Sequence, residues 1–94
     1  MDNEPVIESS GNVFSDLGFS QEEATLLAMR AELMTHLRET ITREGWTQTD
    51  AAAHLGIGQS RVSDLVRGKW DKFSLDMLVT LATRVGRKVV LAVV

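Results

Sequence analysis

Apolar residues recur at helical spacing through the first half of the chain. Successive members of one set lie three or four residues apart, which puts them on a single stripe of a helix: Leu26, Met29, Leu33, Leu37 and Ile41. This pattern predicts a long helix over about residues 21–44 with the stripe facing the core. Shorter periodic segments predict helices at about residues 48–55, 59–67 and 75–85. The expected fold class is therefore all-α.

Capping residues mark where these helices begin. Ser20 precedes Glu23 by three positions and Thr47 precedes Asp50 by three, the spacing of a capping box, and Ser74 is a third N-cap. Glycines that can close a helix in the left-handed conformation follow the periodic segments at Gly45, Gly56, Gly68 and Gly86.

The last seven residues, KVVLAVV, have a different pattern. They are β-branched and apolar, and too few to form a helix with its own face, so residues 88–94 are predicted to form a β-strand. A lone strand leaves its backbone groups unpaired. We expect pairing with the same strand of a second copy, through Val89, Val90, Leu91, Ala92 and Val93. The alternative is pairing within one chain, with Val6–Ile7.

Length and charge divide the chain in two. The 94 residues suit one domain, which we place at residues 13–94 after a flexible acidic arm at residues 1–12. Residues 1–23 carry six acids and no Lys or Arg, a sum of −6, whereas residues 24–94 carry ten basic and seven acidic residues, a sum of +3. The net charge of −3 therefore does not argue against a nucleic-acid partner.

Several chemistries find no support in the sequence. The chain has no cysteine, and its longest apolar run, VVLAVV, is far shorter than the ~20 residues of a membrane helix. His36 and His54 are interpreted as surface or partly packed residues. We expect no enzyme activity, metal, cofactor or membrane partner, and a cytoplasmic location.

Residues 47–68 form two short predicted helices joined by Gly56-Ile57-Gly58. So short a connection makes the helices cross steeply, and Ala52 is the small residue expected at the crossing. Projection at about 100° per residue places Val62, Leu65 and Val66 inward, Ser60, Ser63, Asp64 and Arg67 outward, and Gln59 and Arg61 on the flanks.

This outward surface has the chemistry of DNA recognition. Ser and Gln both donate to and accept from base edges, and Arg binds guanine or phosphate. Gln48 and Thr49, at the start of the preceding helix, can direct amide groups toward a phosphate, and Arg67 and Lys69 lie at the other end. The competing interpretation is a helical hairpin without a nucleic-acid role.

The stretch TQTDAAAHLGIGQSRVSDLVRGK resembles the helix-turn-helix of the Cro/repressor-type (Xre) family. The flanking segments NVFSDLGFSQEEATLLAMRAELMTHLRETI and FSLDMLVTLATRVGRKVVL resemble small antitoxins of HigA type. The resemblance implies a five-helix domain and a dimer on a palindromic operator. It also implies the following roles: phosphate for Gln48 and Lys69, base edges for Gln59, Ser60, Ser63 and Asp64, and base or backbone for Arg61 and Arg67. For Asp64 we favour instead an ion pair with Arg61 or Arg67.

The function expected from these observations is a bacterial, nucleoid-associated repressor. We expect it to be the antitoxin of a type II toxin–antitoxin pair that represses its own operon, with the acidic arm and the first helix covering a basic toxin. The alternatives are a stand-alone regulator without a toxin, and a protein-interaction dimer without DNA binding.

Overall fold

The computed structural model describes residues 13–94, which form five α-helices and one 3-10 turn. The helices are α1 (Val13–Asp16), α2 (Gln21–Glu44), α3 (Gln48–Leu55), α4 (Gln59–Val66) and α5 (Leu75–Arg84), and the 3-10 turn covers Trp70–Lys72. The four helices predicted from periodicity are present. The predicted arm at residues 1–12, with Val6–Ile7, lies outside the described residues.

The predicted caps explain where the helices begin. The Ser20 hydroxyl accepts from the backbone N–H of Glu23 at 3.1 Å, and the Glu23 carboxylate accepts from the Ser20 N–H at 3.1 Å. Thr47 and Asp50 make the same reciprocal pair at the start of α3. Each box satisfies two N–H groups that have no partner inside the helix. Ser74 caps α5 by accepting from the Met77 N–H at 3.0 Å.

The core lies where α2 packs against α4 and α5, with α3 packed against those two shorter helices. The buried cluster consists of Met34, Leu37, Ala51, Leu55, Val62, Leu65, Phe73, Leu78, Leu81 and Ala82. The predicted stripe on α2 is wrong at its N-terminal end, because Leu26 is 46% exposed while Ala24 and Leu27 are buried. In the described part of the chain, α1, Phe19 and Trp70 lie over this end of α2 and leave Leu26 exposed.

Three aromatic rings form a smaller cluster over that N-terminal end. The ring centroid of Phe14 lies 6.3 Å from that of Phe19 and 5.3 Å from that of Trp70, and Phe19 and Trp70 are 6.2 Å apart. All three pairs meet edge to face, the geometry that aromatic quadrupoles favour. The cluster attaches the four-residue α1 and the 3-10 turn to α2.

In the single chain, the C-terminal segment, residues 88–94, has no regular secondary structure, and its pairing with a second copy stays a prediction. No β-strand occurs between residues 13 and 94, and Leu91 and Val94 are 84% and 98% exposed. A strand requires a neighbour for its backbone hydrogen bonds, and no other extended segment in these residues lies beside this one. The residue before this segment is held against α2, because the Arg87 guanidinium donates to the Thr40 hydroxyl at 2.9 Å.

Candidate nucleic-acid interface

Helices α3 and α4 are joined by a turn that depends on glycine. Gly56 has φ +71°, and its N–H donates to the Ala52 carbonyl at 2.8 Å. The left-handed conformation is unfavourable for residues with a Cβ, which explains glycine here. Ala52 is partly buried, as expected of a small residue near the crossing, but its neighbour Ala51 is the fully buried one, with 0% exposure.

Two residues anchor α4 to the core. Val62 and Leu65 are both 0% exposed. Val66, predicted to face inward with them, is 39% exposed, so that prediction is wrong. Val66 lies about 40° around the helix from Val62 on the side away from Leu65, at the edge of the apolar stripe.

Six of the nine residues predicted to contact DNA are exposed, and they lie on both helices and on the turn after α4. We call them the outer face: Gln48, Thr49, Gln59, Ser60, Arg67 and Lys69. The Gln59 amide donates to the Thr49 hydroxyl at 3.1 Å, which links the N-terminal ends of α3 and α4. Ser63 and Asp64 are only partly exposed. The arrangement presents neutral donors and acceptors at one end of α4 and cations at the other.

Arg61 and Arg67 have different environments although both belong to the α4 region. The Arg61 guanidinium carbon lies over the Phe73 ring, 4.5 Å from its centroid, and Phe73 is buried. A cation over an aromatic face is held by the ring quadrupole. Arg67 is exposed. The helical projection could not show this difference, because Phe73 comes from beyond the 3-10 turn.

Asp64 pairs with a residue other than those predicted. Its carboxylate lies 3.9 Å from the Lys69 ammonium, rather than against Arg61 or Arg67. After α4 the chain turns at Gly68, and the Lys69 N–H donates to the Asp64 carbonyl at 3.0 Å. The turn therefore brings Lys69 back beside Asp64. Such partly exposed pairs contribute up to about 1 kcal/mol, and this one leaves Lys69 accessible.

Arg84 is a positioning residue that the sequence pattern did not reveal. Its guanidinium donates to the Leu55 carbonyl at 2.8 Å, and so satisfies an otherwise unpaired group at the end of α3. The same guanidinium lies 3.2 Å from where a Cβ on Gly56 would be. Arg84 thus fixes the turn between α3 and α4 from the far end of the chain.

The histidines are engaged with side chains outside the outer face. His36 lies 3.8 Å from the Glu32 carboxylate and 3.7 Å from that of Glu39, and the His54 ring stacks on Trp46 at 4.0 Å. Within residues 13–94, no group of three or more His, Cys, Asp or Glu residues could hold a metal ion. In the same part of the chain, no helix combines the length and apolarity needed to cross a bilayer.

A comparison with protein families identifies this arrangement. The model of a helix-turn-helix domain matches residues 13–94, which is every residue that the structure describes. The chain belongs to this helix-turn-helix family. Helices α3 and α4 are consecutive and pack against each other within the matched range, which extends through the C-terminal segment. A comparison with curated proteins found no match.

Proposed function

We propose that this helix-turn-helix protein is a sequence-specific DNA-binding regulator, not an enzyme, and that α4 enters the major groove. The observation that carries the proposal is the outer face: polar and cationic side chains are exposed together on α3, α4 and the turn after α4. Two anchors with no exposure, Val62 and Leu65, hold α4 rigidly beneath that face. A rigid helix with exposed Ser, Gln and Arg suits base recognition.

We propose the following contacts for the individual residues. Gln59, Ser60 and Ser63 are proposed to read base edges, and Gln48, Thr49 and Lys69 to hold phosphate. Arg67 is the proposed long-reach contact to base or backbone, because it is exposed. Arg61 must leave the Phe73 ring to make such a contact, so we place it second. For Asp64 we propose an ion pair with Lys69 rather than a base contact, because the two charged groups lie 3.9 Å apart.

The test is binding to the DNA upstream of the protein's own gene, measured by fluorescence anisotropy at several salt concentrations. We expect the affinity to fall steeply with salt, and the Arg67→Ala variant to lose about 1–3 kcal/mol of binding free energy on this DNA. Arg43→Ala is the matched control, because Arg43 is exposed in the last turn of α2, outside the outer face. Equal affinities for the two variants would contradict the assignment of Arg67.

We further propose that the protein binds its operator as a homodimer paired through the C-terminal segment. The exposure of Val90, Leu91 and Val93 in the single chain supports this, since exposed contiguous apolar residues mark interaction sites. Two copies related by a two-fold axis would present two α4 helices to a palindromic site.

The antitoxin role is the finer part of the proposal. It rests on the acidity of residues 1–23 and the resemblance to HigA-type antitoxins, and the described acids Asp16, Glu22 and Glu23 are all exposed. If a neighbouring gene encodes a small basic protein, co-expression should yield a complex that is lost when residues 1–12 are deleted, while DNA binding is retained. A stand-alone regulator would give no complex with the full chain.

A further inference from the structure

Arg38 on α2 reaches the turn that ends the α4 region. One of its guanidinium nitrogens lies 3.0 Å from where a Cβ on Gly68 would be. The other donates to the Thr35 hydroxyl at 3.2 Å, one turn back on the same helix. The guanidinium is therefore held in place beside the backbone of the turn that leads into Lys69.

Arg38 has no acidic partner in the described part of the chain. Between residues 13 and 94 the ion pairs join His36 to Glu32 and Glu39, and Lys69 to Asp64. An arginine is always positively charged, and one that is fixed in position with no carboxylate beside it can bind an external anion. Lys69, on the adjoining turn, is a second cation, with 44% of its side chain exposed.

The size of α4 relative to the major groove indicates that the external anion is a phosphate of the DNA backbone. An α-helix with its side chains is about 10–12 Å across, and the major groove is about 12 Å wide. Groups that flank a helix lying in the groove therefore meet the phosphates of its walls. The turn after α4 is such a flank, and Arg38 lies against it.

We propose that Arg38 contacts a backbone phosphate of the bound duplex, so that the DNA interface extends from α3 and α4 onto the long helix α2. This inference rests on the proposed function, because it requires α4 in the groove. Arg38 reads no base, since its guanidinium flanks the turn rather than the helix. It adds affinity for any DNA sequence and leaves the preference among sequences unchanged.

The experiment compares Arg38→Gln with wild type on a labelled mixed-sequence duplex about two helical turns long. Each phosphate contact contributes about 0.9 to the slope of log affinity against log salt. We expect Arg38→Gln to lower that slope by about 0.9, so its affinity drop between about 50 and 200 mM salt is about 3.5-fold smaller than that of wild type. Arg38→Lys, which keeps the charge, should retain most of the slope.

The control is Arg30→Gln, which removes the same charge from the same helix. Arg30 lies eight residues before Arg38, about 12 Å along the helix axis, and lines a separate surface pocket with Phe19 and Trp70. Its loss should therefore leave the slope unchanged. Circular dichroism and thermal unfolding of each variant confirm that binding is compared between folded proteins. Equal slopes for Arg38→Gln and Arg30→Gln would overturn the inference.

The controls separate this inference from the proposed function. A wild-type protein that binds neither duplex would reject DNA binding, and the Arg38 contact with it. Salt-dependent wild-type binding with no change in Arg38→Gln would reject the Arg38 contact alone. On operator DNA, a selective loss for Arg38→Gln compared with mixed-sequence DNA would assign Arg38 to base reading and contradict the proposal.

Discussion

Two segments rich in Val and Leu have opposite environments in this protein. In α4, Val62 and Leu65 are completely buried, whereas in the C-terminal segment Leu91 and Val93 are 84% and 89% exposed. The difference arises from neighbours rather than residue type. Helix α4 satisfies its own backbone and packs against α2 and α3, but a strand needs a second strand before it can bury anything. Apolar composition therefore predicts that a segment becomes buried, but it does not predict whether the same chain or another chain covers it.

The largest predicted effect on stability comes from truncating a buried leucine of α4. Leu65→Ala should lower the free energy of unfolding by about 2–5 kcal/mol, because it opens a cavity in the core. Leu91→Ala removes the same atoms from an exposed site and should change the free energy of unfolding by no more than about 0.5 kcal/mol. Urea denaturation at low protein concentration measures both. Similar losses would mean that the C-terminal segment packs on its own chain.

A smaller effect is expected at the turn that orients α4. Gly56→Ala should lower the free energy of unfolding by more than the ~1–2 kcal/mol of a left-handed residue, because the new methyl also meets the Arg84 guanidinium at 3.2 Å. Gly45→Ala is the matched control, with φ +70° and no neighbouring atom within 4 Å. Thermal unfolding of the two variants isolates the contribution of Arg84. A larger loss in Gly45→Ala would contradict that role.

The smallest effect on folding, and the largest on assembly, is expected from deleting residues 88–94. The free energy of unfolding of the dilute protein should change by no more than about 0.5 kcal/mol, since the segment is exposed. Sedimentation should shift from dimer to monomer. Lys88→Ala, which leaves the apolar residues intact, should remain dimeric. A truncated protein that stays dimeric would place the interface elsewhere.

The sequence predicted local structure better than contacts between distant segments. Capping boxes and periodicity predict helix starts because their hydrogen bonds join residues three or four positions apart. Leu26 and Val66 were misplaced because periodicity identifies an apolar face but not how wide its covering is. Three contacts depend instead on turns and on helix packing: Arg61 with Phe73, Asp64 with Lys69, and Arg84 with the Leu55 carbonyl. No spacing rule along the chain contains that information.

The bond between Arg87 and Thr40 also has a consequence for the geometry of an operator. Thr40 is buried on α2, so this bond ties the start of the C-terminal segment to the body that carries α4. In a dimer paired through that segment, this bond would restrict the distance between the two α4 helices. DNA half-sites repeat at about 34 Å, so a restricted distance would favour operators whose half-site spacing matches it. Loosening the bond should relax the preferred spacing while each half-site is read as before.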